Sequence, residues 1–280
     1  MRSVLMLKTR VDATRLAAAS LAILPLLGVQ AHAYEKTMAC MLVVDADSGK
    51  VLTKEGAGCA TRISPASTFK VPLAVMGFES GILKDGHDPV WPYKKEYKAE
   101  LEFWRHDTDA TRWEEKSVVW FSRELTKKLG MKDFQKFTDS FDYGNRDLSG
   151  DKGKNNGLTQ SWISSSLEIS PEEQVAFLRK LLARQLPVSA QAAEKTMSIL
   201  PIEKLDNGWT VHGKTGSSVE RDAQGKIDRS RQFGWYVGWA EKDGKQVVFA
   251  RLNRNAERQK GGMGVPTKNE TWDALEHLLK

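Results

Sequence analysis

The segment PASTFKVP, residues 65 to 72, places a serine and a lysine where they can act on each other. Ser67 lies three residues before Lys70, and side chains at this spacing share one face of a helix. A serine becomes a strong nucleophile only when a neighbouring base removes its proton. A lysine can be that base only as a neutral amine, so its pKa, ordinarily about 10.4, must fall through burial. The apolar residues around Lys70 favour burial, and the pair therefore predicts a serine nucleophile with a lysine base.

This S-x-x-K pattern is too short to be decisive. Ser149 and Lys152 match it as well, in a glycine-rich stretch with no helix to align them. In the alternative interpretation, the ammonium group of Lys70 extends to solvent and the match is accidental. Two further motifs bear on this choice.

The motif HGKTG places three chemically useful residues at the end of a predicted strand. Lys214 supplies a positive charge for a substrate carboxylate or for proton transfer, and Thr215 supplies a hydroxyl donor. Gly216 leaves room for a ligand along the strand edge. The motif is consistent with a strand that binds a ligand.

The motif SVV places Ser117 at the start of a predicted helix, with Val119 two residues later. S-x-V also occurs by chance, and Ser217 with Val219 matches it. The order of the three motifs is more informative than any one of them. The nucleophile motif lies near residue 70, the helical serine near 117 and the strand motif near 214.

Strand patterns occur at both ends of the chain, and helix patterns fill the middle. The predicted strands cover residues 41–47, 50–55, 209–216, 231–241 and 245–253. The predicted helices cover residues 67–80, 118–130, 131–141, 170–184 and 270–280, with a capping box of Ser170 and Glu173 at the start of the fourth. We expect an α/β fold of the α+β type, in which helices flank an antiparallel sheet built from both termini. An all-helical lobe is inserted, and the active site lies between the lobes.

The predicted divisions of the chain are a leader, two sheet segments and a helical insert. They cover residues 1–33 for the leader, 34–66 and 203–280 for the sheet lobe, and 67–202 for the helical lobe.

Turn residues predict two hairpins. Asp243–Gly244 joins the last two strands, and Asp47–Gly49 joins the first two. Folding the first hairpin about its turn pairs position 46 with 51 and puts position 40 opposite about 57. Cys59 is then within reach of Cys40, so we expect a disulfide, with two separate buried thiols as the alternative.

Residues 1–33 have the pattern of a secretory signal peptide. A basic region precedes an apolar run at 16–29, and small residues precede a cleavage site after Ala33. A retained membrane anchor is the alternative, but the run has only 14 residues and contains Pro25. We therefore expect an exported protein, periplasmic or secreted, with no membrane segment after cleavage.

The basic charge of the chain is partly a property of this leader. The leader holds four basic residues and one acid, so cleavage lowers the formal net charge from +6 to +3. The remaining charges are interspersed in sign, which gives little support to nucleic-acid binding.

The motifs together resemble those of the class D, or oxacillinase-type, serine β-lactamases, within the penicillin-recognising serine acyl-transferase superfamily. The resemblance rests on PASTFK, SVV, YGN at 143–145, WISSSLEIS at 162–170 and HGKTG, and it covers nearly the whole mature chain, including QFGWYVGW and the VPTK before the last predicted helix. It implies hydrolysis of the β-lactam ring of penicillin-type antibiotics, and hence antibiotic resistance. A small-molecule β-lactam is the expected partner, and a homodimer is possible.

The resemblance also implies roles for the nucleophile and its base. Ser67 attacks the lactam carbonyl to form an acyl-enzyme, and the backbone N–H groups of Ser67 and Ser217 form the oxyanion hole. Lys70 reacts with carbon dioxide, and the resulting carbamate is the general base. Trp162 donates its indole N–H to that carbamate.

The remaining motif residues take supporting roles by the same resemblance. Ser117 lies between the nucleophile and Lys214 and passes protons, while Val119 keeps the pocket apolar. Thr215 and Gly216 contact the substrate.

One segment departs from the family pattern. An arginine that binds the substrate carboxylate usually precedes the V-P-T-K segment, but here that stretch reads ERQKGGMGVP. Arg258 or Lys260 is a candidate for this role, or Lys214 and Thr215 act alone. Glu168 has the residue type of a general base, but its position before a helix cap favours a surface role.

The chain offers no ligand set for a metal and no nucleotide-binding motif. The five histidines form no H-x-H or H-E-x-x-H group, and neither cysteine lies near one. No cofactor is therefore expected besides the carbon dioxide adduct on Lys70.

Three other functions compete with β-lactam hydrolysis. A penicillin-binding D,D-peptidase remains acylated, but such enzymes usually have asparagine where Val119 stands. A β-lactam sensor domain shares this fold and a similar S-T-x-K site, but follows membrane helices. An extracellular binding domain with accidental motifs requires several coincidences in the correct order.

Overall fold

A six-stranded antiparallel sheet forms the centre of the structure, a computed structural model that describes residues 37–222, 224–255 and 261–280. The strands are β1 Thr37–Asp45, β2 Val51–Glu55, β3 Ile202–Lys204, β4 Thr210–Arg221, β5 Ile227–Lys242 and β6 Lys245–Asn255. Their order across the sheet is β2-β1-β6-β5-β4-β3. The two ends of the chain thus meet at β1 and β6, which confirms the predicted sheet. The predicted leader, residues 1–33, lies outside the described residues.

The helices between and after the strands were predicted less completely. They are α1 Lys70–Glu79, α2 Ala110–Lys116, α3 Val119–Ser140, α4 Gly157–Gln160, α5 Pro171–Leu182, α6 Ala190–Ser198 and α7 Gly264–Leu278. The sequence patterns did not predict α2, α4, α6 or the three-residue strand β3, all of which are short. The predicted division at Gly130 is present as a break inside α3, where Gly130 has a φ of +73°.

The last helix begins earlier than predicted. Residues 265–268, which we expected before the helix, lie inside α7 because it starts at Gly264. Pro266 falls in the first turn of α7, where a missing backbone N–H costs nothing because that group has no helical partner.

The hairpin turn between β5 and β6 is formed as predicted. Asp243 and Gly244 have φ values of +50° and +77°, and Lys242 pairs with Lys245. The first hairpin has a different register from the predicted one, since Val44 pairs with Val51 and a bulge follows Val43. The strands therefore slip relative to the turn by one or two residues.

Cys40 and Cys59 form the predicted disulfide. Their Cα atoms are 4.9 Å apart, and the bridge ties β1 to the segment that follows β2. That segment continues directly to the turn that carries Ser67, so the disulfide holds the approach to the site against the sheet.

Each face of the sheet covers a separate apolar core. Along β1, Leu42 and Val44 face the larger core, which is filled by α1, α3 and α5, while Met41 and Val43 face a smaller core under α7. Within the larger core α1 is buried on nearly all sides, from Lys70 to Phe78. Strand β4 and the turn that leads into the buried helix α1 thus line the candidate site.

No helix in the described ranges combines the length and the apolar character needed to cross a membrane. The lobe boundaries at residues 66 and 203 stay a prediction.

Candidate active site

Ser67 and Lys70 lie at the junction between a short 3-10 turn and the buried helix. The turn covers Ala66–Phe69, and Lys70 is the first residue of α1, so Ser67 precedes the α-helix instead of lying in its first turn. Lys70 Nζ donates a hydrogen bond to Ser67 Oγ at 3.4 Å. Ala66 is held at a φ of +50°, a strained value for alanine of the kind that is common at functional sites. Ser67 is half-buried, and its hydroxyl is therefore open to the cleft beside a buried amine.

The surroundings of Lys70 favour its neutral form. Its side chain is 1 % exposed, and burial lowers its pKa to about 7. The positive charges of Lys214 and Arg123 lower the pKa further, while the negative charge of Glu114 raises it. A substantial fraction of Lys70 is thus uncharged near neutral pH. The alternative of a solvent-extended ammonium group is wrong for this structure.

Lys214 and Ser117 meet across the cleft. Lys214 is buried on β4, and its Nζ donates to Ser117 Oγ at 3.2 Å and to the Thr215 carbonyl at 3.4 Å. Burial lowers the pKa of Lys214. Ser117 ends α2 with a φ of +55°, and Val119 begins α3. The S-x-V motif is therefore the junction between two helices, and the junction turns the serine toward β4.

Trp162 lies behind the nucleophile turn. Its ring stacks on Phe69 at 5.5 Å and meets Phe134 edge-on at 6.2 Å. Its backbone carbonyl accepts hydrogen bonds from Ala66 N at 3.0 Å and Ser64 Oγ at 2.7 Å. The indole Nε1 donates to no residue that the structure describes and is not completely enclosed, although the side chain as a whole is only 1 % exposed.

The YGN segment holds the loop that carries Trp162. Asn145 N donates to the Glu168 carbonyl at 2.9 Å, and Asn145 Nδ2 donates to the Ser166 carbonyl at 2.8 Å. Gly144 has a φ of +59°, and a Cβ on it would lie 2.0 Å from the Glu168 carbonyl oxygen. The Tyr143 ring packs on Phe69 at 5.4 Å. The three residues are structural supports of the site.

Gly144→Ala is expected to destabilise the protein strongly, because the new methyl group would displace the Glu168 carbonyl. We expect a loss of about 3 kcal/mol in unfolding free energy, which lowers Tm by roughly 6–12 °C in a chain of this size. Gly153→Ala is the matched control, since Gly153 has a φ of +73° but open space around it. Thermal unfolding that gives equal losses for the two variants would show that backbone strain, and not the close contact, makes Gly144 necessary.

A cavity of about 450 Å³ joins these elements. Its lining includes the predicted residues Ser67, Ser117, Val119, Thr215, Gly216 and Ser217. At Gly216 a Cβ would lie 3.0 Å from the Pro65 carbonyl, so the glycine allows β4 to approach the nucleophile turn closely. Ser217 is exposed to the cleft, and its Oγ accepts a hydrogen bond from Met263 N at 2.8 Å.

The exposed part of the cavity lining is partly apolar. Leu101, Phe103 and Val265 line the cavity and are among the exposed large apolar side chains of the described residues. Because Lys98, Glu100 and Lys116 also line the cavity, it combines polar and charged groups with apolar side chains, as sites for small molecules commonly do.

Other sequence candidates lie elsewhere. Ser149 and Lys152 are exposed, so that second S-x-x-K match is accidental. Glu168 is exposed, as expected for a surface acid. Arg258, the candidate for the substrate carboxylate, lies outside the described residues, and so does Lys260.

Two charged residues that act on the site were not predicted from the sequence motifs. Glu114 is fully buried and interacts electrostatically with both lysines. Arg123 lines the cavity and donates to the Thr159 carbonyl at 3.2 Å. Neither belongs to a short motif, and only the packing of α2 and α3 brings them to the site.

Comparisons with known proteins agree with one another. Residues 39–270 match the family described as the penicillin binding protein transpeptidase domain. Beta-lactamase OXA-9 of Klebsiella pneumoniae is 48 % identical over 85 % of this chain and 86 % of its own length. Beta-lactamase OXA-1 of Escherichia coli is 38 % identical over 77 % of this chain and 76 % of its own length.

A solved structure is similar across the same region. The crystal structure of the OXA-427 class D β-lactamase has a TM-score of 0.81 and 44 % identity, covering 86 % of this chain and 98 % of that one. The C-terminal domain of the Bacillus licheniformis BlaR penicillin receptor has a TM-score of 0.74 at 24 % identity, and this likeness concerns the fold alone.

Proposed function

The chain belongs to the class D β-lactamase family, and from this premise we propose that its cleft opens the β-lactam ring through an acyl-enzyme on Ser67. The activity is hydrolysis of β-lactam antibiotics, which confers resistance to them. The observation that carries the assignment of the nucleophile is the 3.4 Å hydrogen bond from the buried Lys70 amine to Ser67 Oγ. It joins a hydroxyl at the cleft to a base that burial keeps partly neutral.

Acylation requires a base and an oxyanion hole. The base takes the Ser67 proton as Oγ attacks the lactam carbonyl; the lactam C–N bond then breaks, and the ring nitrogen, still part of the acyl group, takes up a proton. The backbone N–H groups of Ser67 and Ser217 are our candidates for the oxyanion hole, since both residues line the cavity where β4 closely approaches the nucleophile turn.

We further propose that Lys70 carries carbon dioxide as a carbamate. The residues fit such a group: the amine is buried with a pKa lowered to about 7, and the indole N–H of Trp162, behind the nucleophile turn, is not used by any described residue. A carbamate would supply an oxygen base for both acylation and deacylation. Trp162 would donate to it, and Val119 would keep water away.

Ser117 and Lys214 are the proposed proton carriers on the opposite wall. Their 3.2 Å hydrogen bond supports transfer between them, and the hydroxyl of Ser117 faces the same cavity as Ser67. Lys214 and Thr215 are also candidates for the carboxylate of the substrate, with Gly216 giving access to the strand. Arg258 is a further proposed ligand of the substrate carboxylate.

Export remains part of the proposal. The leader pattern at 1–33 supports it, and the Cys40–Cys59 disulfide is consistent with an oxidising compartment such as the periplasm. A homodimer stays a prediction.

Activity is expected to fall on the acid side of neutrality. Lys70 reacts with carbon dioxide only as the amine, and a pKa of about 7 means that protonation removes this form as the pH drops through 7. Below that pH, hydrolysis at limiting bicarbonate should decline by about tenfold per pH unit, and added bicarbonate should restore part of it. A rate that is constant from pH 7 to pH 5 and indifferent to bicarbonate would contradict the assignment.

A further inference from the structure

Glu114 is a buried acid that the catalytic motifs leave without a role. It lies in α2, three residues before Ser117, and its side chain is 0 % exposed. Neither carboxylate oxygen has a hydrogen-bond partner among the described residues. The other buried acid of those residues, Glu220, instead forms ion pairs with Arg231 and Arg254. An unpaired buried carboxylate is unfavourable in free energy, so its presence calls for a functional explanation.

The charged groups that act on Glu114 are the two lysines of the active site. Lys214 Nζ donates to Ser117 Oγ at 3.2 Å. Ser117 follows Glu114 by about one helical turn at the end of α2. The charges of Lys214 and Lys70 stabilise the Glu114 carboxylate, and its charge stabilises both ammonium groups in return. We call these three residues the Lys–Glu cluster. Arg123, half-buried on α3, adds a further positive charge that acts on Lys70.

The Lys–Glu cluster has N–H donors and carboxylate oxygens that form no hydrogen bond to the described residues, and these groups can take part in proton exchange. An ammonium group has three N–H donors, and Lys70 uses one of them on Ser67 while Lys214 uses two. Glu114 has two buried oxygens without partners among the described residues, so a bridging water has both donors and acceptors to bind. Burial raises the pKa of Glu114 and lowers that of Lys70, which brings the two values closer together and lowers the cost of moving a proton from the ammonium group to the carboxylate.

We propose that Glu114 accepts the first proton that Lys70 must lose before carbon dioxide binds; the inference rests on the proposed carboxylation of Lys70. Because neither Glu114 oxygen is hydrogen-bonded to a described residue, the Lys70 ammonium gives one proton to the Glu114 carboxylate through a bridging water. The amine lone pair then forms the C–N bond to carbon dioxide, one C=O π bond becomes the charged oxygen, and the nitrogen loses its second proton to solvent. The net change converts the Lys70 ammonium into a carbamate and the Glu114 carboxylate into a neutral carboxylic acid. Glu114 acts through Lys70 and is a positioning residue.

Infrared difference spectroscopy tests this proton transfer directly. Bicarbonate added near pH 7 to wild-type protein depleted of carbon dioxide should produce the carbonyl band of a protonated carboxylic acid together with the carbamate. Glu114→Gln should lack that acid band, and Glu114→Asp should keep one because it retains the carboxyl group. Glu168→Gln, which alters an exposed carboxylate, is the matched control and should resemble the wild type.

Glu114→Gln also has a predicted effect on carboxylation itself. The variant removes the negative charge that stabilises the Lys70 ammonium, so the amine form becomes available at lower pH. The pH midpoint of carbamate formation, measured by ¹³C NMR with labelled bicarbonate, should fall by on the order of one unit. The bicarbonate needed for half-carboxylation near pH 7 should fall by about tenfold.

A Glu114 acid band that exists before bicarbonate is added, and does not change afterwards, would overturn the inference, since Glu114 would then be a permanently protonated structural acid. This readout on the wild-type protein decides the matter even if Glu114→Gln does not fold. If the wild type forms no carbamate at saturating bicarbonate, the proposed carboxylation fails and this inference fails with it. A carbamate that forms without the acid band overturns the role of Glu114 alone.

Discussion

Ser67→Ala is expected to abolish both penicillin turnover and covalent labelling by penicillin. The variant removes the hydroxyl to which Lys70 Nζ donates its hydrogen bond at 3.4 Å. Loss of a nucleophile costs on the order of 10⁴- to 10⁶-fold in kcat for serine hydrolases. Mass spectrometry of the protein after incubation with penicillin, together with steady-state hydrolysis, measures the two effects.

The control for this prediction is the accidental S-x-x-K match. Ser149→Ala changes an exposed serine that does not line the cavity and should hydrolyse penicillin at the wild-type rate. The wild type should complete many turnovers, whereas a D,D-peptidase would stop at one acyl group per molecule. A covalent adduct that still forms on another residue of Ser67→Ala would disprove the nucleophile assignment.

Trp162→Phe is expected to slow deacylation by about 10- to 100-fold, the value of a hydrogen bond to a charged group. Phenylalanine keeps an aromatic ring against Phe69 and Phe134 but removes the indole N–H. Without that donor the Lys70 carbamate should lose carbon dioxide more readily, so acyl-enzyme should accumulate. Excess bicarbonate should partly restore turnover.

Trp209→Phe separates this effect from a general loss of stability. Trp209 is also buried and donates its indole N–H to the Leu279 carbonyl at 3.0 Å, but it lies in the smaller core on the other face of the sheet. That variant should be less stable but indifferent to bicarbonate. Normal, bicarbonate-independent turnover by Trp162→Phe would exclude the proposed role of the indole.

The sequence was informative wherever a short pattern determines local structure. The Asp243–Gly244 turn fixed the β5–β6 hairpin, and the Ser170–Glu173 capping box is present at the start of α5. The Ser67–Lys70 spacing likewise predicted contact between the two side chains, and Lys70 Nζ lies 3.4 Å from Ser67 Oγ although the backbone between them is a 3-10 turn. A spacing of three residues brings side chains together in either type of helix.

Packing decided what the sequence left open. Glu114 and Glu115 are adjacent acids in α2, yet the first is buried beside the lysines and the second is exposed. Nothing in the local sequence distinguishes them, because the face that α2 buries is set by its contact with α3, including the 2.9 Å bond from Trp113 Nε1 to Ser122 Oγ. The position of Pro266 was misread for a similar reason, since proline is compatible with the first turn of α7 as well as with a loop.

The central claim is that a dry pocket keeps the Lys70 amine free to bind carbon dioxide next to Ser67. Its most direct test is ¹³C NMR of protein depleted of carbon dioxide and then supplied with ¹³C-bicarbonate above pH 7, with Lys70→Met as the control. The account predicts one carbamate resonance in the wild type and none in the variant. The absence of that resonance in the wild type, or its persistence in Lys70→Met, would contradict the account.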